Sequence, residues 1–160
     1  MKYGGIVCVL LASLLVSREY CRHMNKRISE CRDFLAFISH MRVQVGCFLR
    51  PVRELGIGFE SEALERAGFI EALSVSENIK EAYLKCEPKL SLSTEEKEAL
   101  FGFFSSFGDG YLDEQVKLID SAYPRIEKLY LKLSDERAKN TRLVSTVSVT
   151  LALGFIIFVI

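Results

Sequence analysis

Charge is absent from both ends of this 160-residue chain: Tyr3 to Ser17 carries none, Leu143 to Ile160 carries none, and 41 of the 42 charged side chains fall between residues 18 and 142. Mean hydropathy is nevertheless +0.18 with 26% charged residues, which excludes a plain soluble globule, a disordered chain and a multi-span transporter. A net charge is absent too, with 21 basic residues against 21 acidic, so no nucleic-acid partner is expected. Histidine is scarce. His23 and His40 are the only two, and Cys21 stands two residues from His23, on a different face of a helix, so the pair cannot grip a metal. Cys8, Cys21, Cys31, Cys47 and Cys86 are odd in number and scattered without a C-x-x-C pair, which argues against a disulfide framework or a zinc site and for a reducing compartment. Asp109, Asp113 and Glu114 around Gly110 lack the order of a calcium loop. No phosphate-binding loop, nucleophile elbow, zinc-protease motif or dinucleotide fingerprint occurs either. These absences predict a protein with no catalytic residue, metal or cofactor of its own.

The terminal runs point to a membrane. Leu143 to Ile160 makes about 27 Å of helix, close to a hydrocarbon core of roughly 30 Å, and Arg137, Lys139 and Arg142 stand just before it. The first run, Tyr3 to Ser17, is shorter and lacks a good cleavage site at Leu15, Val16 and Ser17, so it reads as an uncleaved anchor extended by the stem of Arg18. Arg18, Arg22, Lys26, Arg27 and Arg32 follow it, against Lys2 before it. By the positive-inside rule both counts put residues 18–142 in the cytoplasm and both termini outside. Three segments follow: a transmembrane helix at 3–17, a cytosolic helical domain at 18–142 and a transmembrane helix at 143–160. Gly4, Gly5, Thr146, Thr150 and Gly154 offer small faces for packing between the spans or against another protomer.

Charge within the central segment is segregated. Residues 18–53 carry 8 basic and 3 acidic side chains, 54–120 carry 6 and 15, and 121–142 carry 6 and 3. Two basic arms thus enclose an acidic lobe, an arrangement that suits arms beside anionic lipid and a lobe held away from it.

The hydrophobic period is helical throughout, which makes the domain all-α. Met24, Ile28, Cys31, Leu35, Ile38, Met41, Val45 and Leu49 form one seam, and Leu112, Val116, Ile119, Tyr123, Ile126, Tyr130 and Leu133 another. Both abut spans entering from the same side, so the arms run antiparallel and pair as a helical bundle. Pro124 predicts a kink in the second arm, or a break after Ser121. Between the arms, Pro51 suits a first helical position and Ser61 caps a helix that Gly68 weakens. Ser74 with Glu77 and Ser93 with Glu96 fit capping boxes. The first would open a helix burying Val75, Ile79, Ala82, Tyr83 and Cys86, the second a helix burying Leu100, Phe103, Phe104 and Phe107.

The run ALFGFFSSFGDGYLDEQVKLI, Ala99 to Ile119, with Gly108 and Gln115 seven apart and Lys117 and Ile119 following, resembles the signature of the stage III sporulation protein AB family. Glu81 to Tyr83, Glu95 to Leu100 and AKNTRL (Ala138 to Leu143) resemble it as well. Tyr111, where an acid is commoner, and Pro124, in a helix usually unbroken, depart from it. The resemblance implies a domain similar to the cytoplasmic domain of the type II secretion F platform protein. It implies as a partner the secretion-type ATPase called stage III sporulation protein AA, with other channel components, and a place in the outer forespore membrane, in the channel between mother cell and forespore. On that reading the protein is a non-enzymatic platform, and the acidic lobe offers a docking face with Glu60, Glu62, Glu65, Asp109, Asp113 and Gln115 as candidate contacts; a homo-oligomer is compatible with it. A membrane-tethered adaptor for another cytosolic partner shares every physical feature.

Overall fold

The structure, a computed structural model, describes the backbone of residues 2–48, 51–108 and 111–159, with side chains at 18–46, 51–108 and 111–140 and at Leu15, Leu143, Val147 and Thr150. Among the described residues there are six α-helices: α1 (Lys2–Phe48), α2 (Glu62–Ala67), α3 (Phe69–Val75), α4 (Ile79–Cys86), α5 (Thr94–Ser106) and α6 (Leu112–Val159). Short 3₁₀ turns at Val52–Glu54 and Glu87–Lys89 join them, and the described residues contain no strand. The all-α expectation holds. Among the described residues no helix is long and apolar enough to cross a membrane. The two runs expected to do so lie on α1 and α6, mostly outside the residues with described side chains, as do Gly4, Gly5, Thr146 and Gly154.

The chain divides into two compact units, one of residues 1–25 with 132–160, the other of residues 26–131. In the first, α1 meets α6 where Asn140 Nδ2 donates to Tyr20 Oη at 2.8 Å. In the second, Arg42 on α1 pairs with Asp120 on α6 at 2.6 Å, and a Cβ at Gly46 would sit 3.9 Å from Val116 Cγ2. Residue numbers rise on one helix as they fall on the other, so within this unit the arms are antiparallel, as the seams predict.

The core of the second unit is wider than one seam. Cys31, Leu35, Ile38, Met41 and Val45 are buried as the period requires, but Phe34 and Phe37, off that seam, are fully buried as well. Phe34 lies 5.3 Å from the ring of Phe69 on α3, 6.0 Å from Tyr83 on α4 and 6.0 Å from Phe104 on α5. Phe37 meets Phe59 and Phe69 edge-on at 5.3 and 5.1 Å. One face of α1 therefore holds the short helices while the neighbouring face meets α6.

Local chemistry sets the short helices. Ser61 Oγ accepts from Leu64 N at 3.1 Å and donates to Asp33 Oδ2 at 2.8 Å, capping α2 and tying it to α1. Gly68, at φ +78°, ends α2 in a left-handed cap and at the same position opens α3; it is a boundary, not a weak point within one helix. The capping box expected at Ser74 and Glu77 is not formed. Ser74 Oγ donates back to the Glu71 carbonyl at 2.7 Å, and Asn78 caps α4 instead, accepting from Glu81 N at 2.8 Å. Val75 accordingly belongs to α3 and is exposed, while Ile79, Ala82, Tyr83 and Cys86 are buried as expected. Pro51 precedes the first 3₁₀ turn as its cap and does not occupy a first helical position.

The second box does form: Glu96 Oε2 accepts from Ser93 N at 2.7 Å, and Leu100, Phe103, Phe104 and Phe107 are buried behind it. On α6, Ile119, Ile126 and Leu133 are buried while Val116, Tyr123 and Tyr130 are half-buried. The expected break after Ser121 does not occur. Pro124 lies inside continuous helix and faces solvent, where water can bond the Asp120 carbonyl that a proline nitrogen leaves free, while Ile126 keeps the next turn packed.

Candidate functional site

Acidic surface is built by short amphipathic helices. On α2, Ala63, Leu64 and Ala67 turn inward, so Glu62 and Glu65 are turned out, with Glu60 exposed just before the cap. Arg66 pairs with Glu62 at 2.6 Å one turn away. Lys85 donates to Glu81 in the same way on α4, and that hydrogen bond holds the Glu81 carboxyl below its ordinary range.

A groove of about 450 Å³ opens where α1 meets the start of α6, lined by Arg42, Val43, Gly46, Leu112, Asp113, Val116 and Lys117. Its floor is apolar and its rim carries both signs of charge. The Arg42 guanidinium, bonding both carboxylate oxygens of Asp120, holds that carboxyl below its ordinary range. Of the six candidate contacts, Asp113 lines this groove, Gln115 is half-buried on the same first turns of α6, and Glu60, Glu62 and Glu65 do not line it. Asp109 lies outside the described residues. The α1 contribution, Arg42, Val43 and Gly46, escapes sequence reasoning because those residues are some 70 positions from α6 and match no motif. The antiparallel direction of the two seams, which brings Gly46 to Val116, is the one available clue.

Buried polar groups tie α1 to the start of α5. Glu30, 2% exposed, accepts from Ser91 N at 2.7 Å, and Arg27 Nη2 donates to Glu96 Oε1 at 2.7 Å. These are packing devices, with every carboxylate oxygen in them directed at the protein's own donors or cations. His40 bonds Gln44 and lies against Phe59, and His23 is exposed. Among the described residues no three His, Cys, Asp or Glu side chains gather to hold a metal.

Burial pushes the Cys31 and Cys86 thiols from 9.0 up to about 12, with the Glu96 charge adding to the shift at Cys31. A maleimide at pH 8 should therefore label half-exposed Cys21 and reach Cys31 and Cys86 only on unfolding, in a Cys8→Ser/Cys47→Ser chain followed by mass spectrometry. The same shifts give stability a pH dependence. Unfolded thiols ionise near 9 while the folded ones stay protonated to about 12, so stability is intact below pH 9 and falls as pH rises above it.

The fold and its surfaces define an all-helical bundle protein whose distinguishing features are an acidic face and a mixed-charge groove. The chain matches the family model of stage III sporulation protein AB over residues 2–160 and belongs to that family of sporulation proteins. No curated protein and no solved structure matches it.

Proposed function

We propose that the protein is a non-enzymatic membrane platform of the channel between mother cell and forespore, and that it docks a secretion-type ATPase of the stage III sporulation protein AA kind. Residues 3–17 and 143–160 would anchor it in the outer forespore membrane with residues 18–142 in the mother-cell cytoplasm. The observation that carries the reading is the acidic face within a family of sporulation proteins: Glu62 and Glu65 point to solvent because the other side of α2 is committed to the core, and Glu60 is exposed just before the cap. Two carboxylates on the capped α2 and a third just before its cap form a surface that attracts a basic patch and accelerates its encounter.

The test is capture of the ATPase by the full chain in mild detergent. Binding at about 50 mM salt that weakens about tenfold at about 300 mM, and falls as far when Glu60, Glu62 and Glu65 are changed to lysine, is the expected result. Absence of binding at low salt removes the docking role.

A further inference from the structure

The mouth of the groove carries its own complement. Asp113 and Lys117 stand one turn apart on α6, both exposed, and neither has an ion-pair or hydrogen-bond partner among the described residues. Acid before base at this spacing is the order that pairs best within a helix, yet the two remain apart. The third charged contact of the rim, Arg42 with Asp120, is already closed. Apolar surface accompanies them: of the lining residues Val43 is 51% exposed and Leu112 37%, and Tyr111, which precedes Leu112 in the chain and does not line the groove, is 85% exposed. The Tyr111 backbone is fixed at the start of α6, its carbonyl accepting from Glu114 N and Gln115 N at 3.0 Å.

We propose that this face joins two copies of the chain about a two-fold axis, with Asp113 of each opposite Lys117 of the other and Val43, Tyr111 and Leu112 meeting between them. A two-fold axis turns every contact between residues i and j into a second contact between j and i. An acid and a base on one face, neither partnered among the described residues, are therefore matched twice over by a second copy of that face. Charge balance separates this surface from the acidic lobe. A basic partner is drawn to Glu60, Glu62 and Glu65, whereas a surface that presents both Asp113 and Lys117 selects a partner with the same two. The offset of four residues is about 6 Å along a helix, within reach of a lysine stem even when the two α6 helices run parallel. Parallel packing is what two chains anchored in one bilayer require. The inference goes beyond ATPase docking and does not depend on it.

The experiment is sedimentation velocity of the full chain in mild detergent at low salt over a hundredfold range of concentration, with no ATPase present. A reversible monomer–dimer equilibrium is expected. Asp113→Lys and Lys117→Asp should each weaken it on the order of tenfold, because each reversal acts at two places across the axis. An equal mixture of the two single variants should associate again, since their opposed charges then match at both contacts, and the double variant should associate like the original chain. Tyr111→Ser should weaken the dimer by a similar factor while leaving the unfolding midpoint unchanged, as its side chain is almost bare in the single chain. A chain that stays monomeric throughout overturns the proposal, as does a dimer insensitive to these changes or a mixture as weak as its components.

Discussion

Phe34→Ala is expected to cost the unit of residues 26–131 about 3–5 kcal/mol, the range for removing a fully buried phenylalanine. Its ring is wholly shielded from solvent and touches one aromatic on each of α3, α4 and α5. Among the described residues no backbone–backbone hydrogen bond joins α1 to those helices, so side-chain packing and a few polar ties position them. A cavity here loosens three elements at once, since the neighbouring rings are themselves tilted against one another, Phe104 against both Phe69 and Tyr83. Phe34→Leu fills part of the space and should cost less than half as much. Phe101→Ala is the control. That ring is 37% exposed and has Lys80 Nζ 5.6 Å from its centroid, so its loss should cost no more than about 1 kcal/mol. Urea unfolding of the full chain in detergent, followed by circular dichroism, reads all three. A midpoint for Phe34→Ala close to that of Phe101→Ala would show that the aromatic cluster does not hold the unit together.

That cluster also marks the limit of what periodicity conveys. The seam from Cys31 to Val45 is legible because a single buried stripe repeats every three or four residues, but α1 buries two adjoining faces, and a one-stripe template discards Phe34 and Phe37. Caps are legible where the side chain has no better bond. Ser61 and Ser93 open helices; Ser74 has the same spacing to a glutamate but bonds its own helix, and Asn78 takes the cap. The distinction lies in three-dimensional competition for a hydroxyl that sequence spacing does not encode. In sequence Pro124 is a local defect, whereas solvent on its side and packing on the other decide the outcome. The acidic face is readable because α2 is short and its two faces separate cleanly. The groove is not, since its walls come from opposite ends of the unit's sequence and its rim is defined by which charges fail to pair.

Glu96→Ala should be the most damaging polar change, at about 3–5 kcal/mol. Glu96 is 5% exposed, and its two carboxylate oxygens serve different donors: one accepts from Arg27 and the other from the Ser93 amide, both at 2.7 Å. Removing the side chain leaves the start of α5 without a partner for that amide. It also strands a guanidinium whose Nε is already buried without a bond among the described residues. The second consequence is the larger, because an unpaired buried charge is costlier than a lost cap of about 1 kcal/mol. Glu96→Gln retains an acceptor for only one of the two donors and should fall between the parent and Glu96→Ala. The decisive comparison is Arg27→Met with Glu96→Met. Deleting both charges removes the desolvation penalty along with the attraction, so the double variant should be more stable than Glu96→Ala even though it lacks two polar groups. Cys31 supplies an independent readout: the Glu96 charge contributes to its raised pKa, so in Glu96→Gln the Cys31 thiol should titrate below its value in the parent chain while burial still keeps it above 9.0. If Glu96→Ala and the double variant unfold at the same urea concentration, the pair is held by the cap alone and Arg27 finds its solvation elsewhere.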